Sequence, residues 1–215
     1  EIATEAGLLT ADKKDSQGLC FVGKISLPQF LQQKLKPIQG NIIEIPTDLE
    51  QFKSYNSITP SLENVEVLSE PFQYTEDMGI KVETHQGAHY YTIGQRKGLK
   101  IGGRPLPSFV IGINTVTNTV YSGQTDEHPG LNRYALHIEN KNIHYVNPSY
   151  TLNIGESKEF LIRIRYRQQL QKATLIKKEK GLYILFEEKQ KGITPGQFAA
   201  WYEGEELIGS GVIEN

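Results

Sequence analysis

Over residues 134–215, apolar and polar side chains alternate in short runs bounded by glycines and charged residues. A period of two puts every second side chain on one face of a strand. Residues 159–168 show this best. Phe160, Ile162, Ile164 and Tyr166 share one face; Leu161, Arg163, Arg165 and Arg167 share the other. The pattern predicts one strand with a core face and an arginine stripe. Residues 173–177 and 182–187 are expected to pair across Lys180-Gly181. Residues 198–202 and 206–213 are expected to pair across Glu203-Gly204, with Gly209 and Gly211 as bends or bulges. Strands this close, with no helices between them, predict a small antiparallel barrel.

The earlier half is less regular. Residues 41–45, 79–84 and 89–93 have strand character, and 109–113 with 119–122 predict a hairpin around Val116-Thr117-Asn118. Residues 94–103 form a glycine-punctuated basic loop, and 126–133 a linker. Helical signals are few. Residues 1–6 suit a last helical turn stopped by Gly7. Ser26 and Gln29 make a capping box, Pro28 fits a first turn, and Leu27, Phe30, Leu31 and Leu35 share a helical face before Pro37. Residues 46–71 lack a clear period and predict irregular structure, with Val65 and Val67 as a candidate strand start. They belong to an acidic insertion at about 46–78. The expected fold is mainly β with one short helix: a small β-rich central domain over 24–133, then an antiparallel β-barrel over 134–215. Residues 1–23 stand apart from both.

Composition narrows the class. Apolar residues make up 38% of the 215 and charged residues 22%, as in a globular protein. No run approaches the ~20 apolar residues of a membrane span. A single cysteine and no basic-apolar leader lead us to expect the cytoplasm and no membrane partner. The net charge of −2 excludes a global pull toward nucleic acid, but local charge is uneven. Residues 44–83 hold nine acids against Lys53 and Lys81, whereas 95–104 hold four bases and no acid.

Candidate chemistry follows from those patches. In the basic loop, glycines let the backbone approach phosphate while Arg96, Lys97 and Lys100 neutralise it. No GxxxxGK[ST] phosphate loop occurs. His85 and His89 lie four apart on a segment with strand character, without a third ligand, so no metal site is expected. Three guanidiniums on one strand face would suit phosphate as well as they suit a solvated sheet face. Cys20, the sole cysteine, follows Lys13-Lys14-Asp15-Ser16-Gln17-Gly18-Leu19. Its type favours a buried filler; the lysines and glycine beside it would favour a reactive thiolate on an exposed loop. The residues leave both open.

Four segments, in order, resemble the tRNA-specific 2-thiouridylase family. Lys14-Asp15-Ser16-Gln17-Gly18-Leu19-Cys20-Phe21-Val22-Gly23 is similar to the family's K-D-S-x-G-[IL]-C-F-[IV]-G. His85-Gln86-Gly87 with Tyr91-Thr92-Ile93-Gly94-Gln95-Arg96-Lys97-Gly98-Leu99 and Ile101-Gly102-Gly103 resembles its most recognisable signature. Arg165-Tyr166-Arg167-Gln168 and Thr194-Pro195-Gly196-Gln197 resemble motifs of its C-terminal domain. The resemblance implies a tRNA-uridine 2-sulfurtransferase. In that family a PP-loop domain uses ATP, with Mg, to adenylate the wobble uridine. A cysteine matching Cys20 then carries a persulfide whose sulfur goes to carbon 2, releasing AMP. It also implies tRNA contacts at Arg165, Tyr166 and Gln197, and at Gln95, Arg96 and Lys97 in the basic loop. The implied partners are tRNA and a sulfur donor such as a cysteine desulfurase or a sulfur-relay protein.

The family's S-G-G-x-D-S motif does not occur in these residues, so residues 1–23 are expected to be the tail of a PP-loop domain. No cofactor is expected within this stretch, and the chain alone is expected not to thiolate tRNA. Arg104-Pro105-Leu106-Pro107-Ser108-Phe109 departs from the family, which commonly has an aromatic after the last glycine. The alternative is a non-catalytic RNA- or protein-binding β module with a structural cysteine.

Overall fold

A computed structural model of the chain describes residues 2–7 and 35–214. They fall into two compact units, 1–37 and 38–215. In the first, α1 (Ile2–Glu5) ends where Gly7, at φ 62°, turns its N–H back to the Thr4 carbonyl at 3.1 Å. Glycine reaches that left-handed conformation without a Cβ clash. Cys20 and the helix predicted from Ser26 lie outside the described residues.

The second unit holds two sheets. The smaller has the order β2-β1-β4-β3, from β1 (Gly40–Glu44), β2 (Ile80–His85), β3 (Ser108–Asn114) and β4 (Thr119–Gln124). It is mixed: β1 runs parallel to β4 and antiparallel to β2. Ile42 and Ile43 are consecutive and both buried, because both faces of β1 are covered. Ile42 packs among Ala88, Leu99, Val110 and Val120; Ile43 packs with Phe52, Ile111 and Tyr121.

The larger sheet is antiparallel throughout, in the order β5-β9-β8-β7-β10-β11-β6. Its strands are β5 (Asn132–Glu139), β6 (Ile143–Tyr145), β7 (Ser157–Arg163), β8 (Gln171–Lys178), β9 (Gly181–Lys191), β10 (Phe198–Glu203) and β11 (Glu206–Val212). The sheet curls, and Glu214 N–H reaches the His137 carbonyl of β5 at 2.9 Å. Its interior is one cluster that includes Ile138, Ile162, Leu175, Ile184, Phe186 and Trp201. The register shifts opposite Trp201 and Tyr202, where Ile208 is the extra residue on β11. Gly209 pairs with Trp201, and a Cβ there would lie 2.6 Å from the indole ring. The fold is therefore mainly β with a barrel-like C-terminal sheet. Among the described residues no helix is long and apolar enough to cross a membrane.

Three expectations fail. The segment expected to be irregular carries two helices, α2 (Glu50–Ser57) and α3 (Val65–Ser69), so Val65 and Val67 start no strand. Each helix buries a pair three residues apart, Phe52 with Tyr55 and Val65 with Leu68. Two apolar residues are too few to set a period in sequence, and tertiary packing supplies the rest. Tyr55 Oη donates to the Leu68 carbonyl at 3.1 Å and accepts Tyr134 N–H at 2.7 Å, tying both helices to β5.

Residues 89–93 form no strand. The chain turns through a 3₁₀ helix, Ala88–Tyr90, after Gly87 at φ 143°, and Asn118 Oδ1 takes the Ala88 N–H at 2.9 Å. Finally, β7 stops at Arg163, short of Gln168. Gln168 Oε1 accepts the Ile164 N–H at 2.9 Å, and Gln168 N–H bonds the Arg165 carbonyl at 3.1 Å. A side chain thus replaces the ladder partner and a turn follows, which leaves Tyr166 82% exposed instead of facing the core.

Candidate nucleic-acid interface

The basic loop is held from within. Gly94 N–H bonds the Val110 carbonyl at 2.8 Å, and Val110 N–H bonds the Gln95 carbonyl at 2.9 Å. The Gln95 side chain accepts Thr92 N–H at 3.1 Å and donates to the Lys97 carbonyl at 2.8 Å. Gln95 therefore shapes the loop. Leu99 anchors it in the core of the smaller sheet, and Lys100 sits at φ 54°. That left-handed conformation costs a non-glycine residue about 1–2 kcal/mol. The result is a fixed loop with Arg96, Lys97 and Lys100 exposed. Arg104, the fourth base, is instead committed to Glu44, with Nε to Oε2 at 2.9 Å.

Arg165 connects this loop to the larger sheet. Its Nη2 donates to the Gly192 carbonyl at 2.9 Å. A Cβ on Gly192 would lie 2.5 Å from that nitrogen and 3.6 Å from Gly94 Cα, and a Cβ on Gly94 would lie 3.2 Å from it. Both glycines have positive φ, 84° and 65°. Only glycine admits so close an approach of two backbones around one guanidinium. Gly192 is further held by its N–H to the Leu131 carbonyl at 2.7 Å, and its carbonyl accepts Thr194 Oγ1 at 2.8 Å.

The arginine stripe is not formed. Arg163 lies back over Tyr202, 4.7 Å from the ring centroid, with Nη2 donating to the phenol oxygen at 2.9 Å. Arg165 lies in the turn, and Arg167 is exposed there. The alternation required a strand through 167, and the Gln168 side chain ends it at 163.

An open cleft of about 610 Å³ separates residues 88–93 from the Thr194-Pro195-Gly196-Gln197 turn. His89, Tyr91, Thr92, Thr194 and Gln197 line it. The Gln197 backbone is bonded, its carbonyl accepting Ile213 N–H at 2.8 Å, which leaves its amide side chain for the cleft. Behind the cleft, His85 accepts Gly87 N–H on Nδ1 at 2.9 Å, and burial pushes its pKa down. With Nδ1 accepting, the neutral form of the ring carries its proton on Nε2.

The structure thus brings Gly94, which precedes Gln95, Arg96 and Lys97 in the loop, against Arg165, while Tyr166 follows Arg165 in its turn and Gln197 lies in the turn after Gly192. One cation escaped the sequence reading. Lys191 lies 4.6 Å over the Phe109 ring and bonds Asp126 at 2.9 Å, and Arg96 also acts on that carboxylate. Lys191 ends a strand with no motif around it, so sequence offered no signal for it. Among the described residues no three metal-ligating side chains cluster.

Two family descriptions match the chain. Residues 73–124 match the tRNA methyl transferase PRC-barrel domain, and residues 135–213 match the aminomethyltransferase beta-barrel domain. A tRNA-specific 2-thiouridylase MnmA of Flavobacterium johnsoniae is 50% identical over 214 residues, 99% of this chain and 54% of that protein. The MnmA of Christiangramia forsetii is 47% identical over the same shares, and that of Chlamydia trachomatis 35% identical over 99% of this chain and 49% of its own length. The chain spans about half the length of these curated relatives. Its motifs, its two β sheets and these matches agree: the chain belongs to the tRNA-specific 2-thiouridylase family, MnmA.

Proposed function

We propose that this chain serves the tRNA-handling and sulfur-carrying part of a tRNA-uridine 2-sulfurtransferase. The observation that carries the tRNA half is the Arg165 contact, which joins Gly94 of the basic loop to Gly192 beside the Gln197 turn. Three sequence motifs far apart in the chain meet there. Arg96, Lys97 and Lys100 neutralise phosphates, the exposed Tyr166 ring offers a stacking face, and the Gln197 amide offers base or sugar hydrogen bonds. Arg165 both positions the loop and keeps further donors for phosphate.

Cys20 supplies the sulfur in this reading. Its thiolate attacks the outer sulfur of a donor persulfide, the donor thiolate leaves, and Cys20 holds that sulfur as Sγ–S⁻. This sulfur displaces AMP from carbon 2 of the adenylated uridine. A second thiol then attacks Cys20 Sγ, forming a disulfide while the electron pair of the broken S–S bond stays on the uridine sulfur. The Gly94 and Gln95 amides of the basic loop are bonded to the Val110 and Thr92 carbonyls and so are taken up within the protein. In this reading adenylation of the uridine falls to another part of the enzyme.

Binding of labelled tRNA to the full chain, followed by fluorescence anisotropy across salt concentrations, tests the first half. Tyr166→Ala is expected to weaken binding about tenfold without changing the salt slope. Arg96→Gln, Lys97→Gln and Lys100→Gln together should lower that slope by about 2 to 3. Unchanged binding in both would remove this surface from the proposal. For the second half, the full-length enzyme is incubated with a cysteine desulfurase and cysteine. Mass spectrometry should find an added sulfur on Cys20. No adduct, with thiolation intact in Cys20→Ser, would leave a non-catalytic RNA-binding module.

A further inference from the structure

Arg133 of β5 is 6% exposed, and no other lysine or arginine among the described residues is buried. Buried charges are ordinarily paired, because removing an ion from water costs several kcal/mol. Arg133 has no carboxylate partner within ion-pair distance among the described residues. Its one hydrogen bond runs from Nη1 to the Ser69 carbonyl at the end of α3, 2.6 Å away. Glu70 acts on it only at longer range. Holding α3 thus occupies one of the five donors of the guanidinium.

The rest of the side chain lines a cavity of about 340 Å³ between the two sheets, within the size range of small-molecule sites. Tyr74 lines the same cavity, and its hydroxyl is buried without a hydrogen-bond partner. Two glycines hold that ring in place. A Cβ on Gly112 would lie 2.6 Å from the ring, and one on Gly130 would lie 2.4 Å from the hydroxyl. Burial pushes the phenol pKa up, so the group is a neutral donor. A buried cation and a neutral O–H donor therefore face one cavity, and neither has an acceptor there. Ile93, Ile113, Thr115 and Pro195 wall both this cavity and the cleft that holds Gln197.

We propose that Arg133 and Tyr74 form a binding site for a phosphate-sized oxyanion in this cavity, carried either by free phosphate or by an RNA backbone. The guanidinium offers paired N–H donors to two oxygens, and the phenol offers a third hydrogen bond. Only the RNA source rests on the tRNA-binding reading above; the free anion does not.

The test is titration of the full chain with sodium phosphate at constant ionic strength, read by calorimetry and thermal melting. Phosphate stabilises folded proteins generally, so the difference between variants is the readout. The unaltered chain should bind phosphate saturably. Tyr74→Phe should melt at the same temperature without phosphate, since its hydroxyl has no protein partner, and should bind phosphate about tenfold more weakly. Arg133→Lys keeps the charge, loses the planar fork, and should weaken binding at least as much. No saturable binding, or equal binding by the unaltered chain and Tyr74→Phe, would overturn the proposal; should Arg133→Lys not fold, Tyr74→Phe decides alone. Repeating the tRNA titration in saturating phosphate separates the sources. Competition assigns the site to an RNA phosphate, and unchanged tRNA affinity assigns it to a free anion. Loss of tRNA binding without phosphate would count against the tRNA reading alone.

Discussion

The two sheets reach stability in different ways. In the larger one, β7 to β9 and β10 to β11 follow each other through short turns around a single interior cluster. Alternation along each strand is enough to bury that cluster. The smaller sheet is buried on both faces, and long connections do the covering. Residues 45–79 bring Phe52 to one face; residues 86–107 bring Ala88 and Leu99 to the other. The larger sheet thus closes its inner face with its own strands, while α2 and α3 cover Ala135, Ile176 and Tyr183 on its outer face. In the smaller sheet, the loop that displays Arg96 and Lys97 also completes the core. The difference shows how a basic loop is anchored without regular structure: Leu99 packs inward, so Arg96 and Lys97 stand on a backbone tied to the core.

Three experiments break or sharpen that contrast. Trp201 has the largest side chain among those fully buried, and Trp201→Ala should cost about 3–5 kcal/mol in urea unfolding. Leu99→Ala should cost about 2–5 kcal/mol and also weaken tRNA binding, because the loop loses its anchor. If Leu99→Ala left tRNA affinity intact, display and core would be independent in the smaller sheet. A smaller effect comes from acid. His85 and His128 both belong to the smaller sheet's surroundings, and burial lowers the pKa of each. His128 bonds Gly130 N–H at 3.1 Å through Nδ1 and lies 3.1 Å from the Ile45 carbonyl through Nε2. Below pH about 6.5 the unfolded chain takes up protons that these folded histidines refuse. Their contribution is full above that pH and is lost as pH falls through the depressed folded values. Between pH 7 and pH 5 the protection of amides, relative to their intrinsic exchange rates, should therefore fall more in β1 and β4 than in β8 and β9. An equal loss of protection would mean that the two sheets open together.

Much of this was legible in the residues, for identifiable reasons. Residues 173–177 and 182–187 pair as alternation predicts, around Lys180-Gly181. The hairpin over Val116-Thr117-Asn118 forms as well, with Asn118 at φ 54°. The helices at Glu50–Ser57 and Val65–Ser69 were hidden, since the first buries only Phe52 and Tyr55 of its eight residues and the second is only five residues long. The arginine stripe failed for a different reason. Periodicity describes which face a residue takes if a strand continues, and it cannot register that Gln168 folds back onto Ile164 N–H.

The candidate interface divides in the same way. Gln95, Arg96, Lys97, Arg165, Tyr166 and Gln197 were each identifiable by type and motif. That Gln95 is spent inside its loop, and that Arg165 grips Gly192, depended on long-range contacts. Arg133 carried no signal at all, because a lone arginine in a strand shows neither its burial nor its missing counter-charge.

By itself the sequence determined the mainly β class, the family and the residue types at each motif. Those properties are written in local periodicity and in fixed short spacings. Tertiary structure alone decided which motifs meet, which guanidinium is exposed, held or buried, and where a cavity lies between the sheets. Such outcomes depend on contacts between residues tens of positions apart, whose geometry no local pattern encodes.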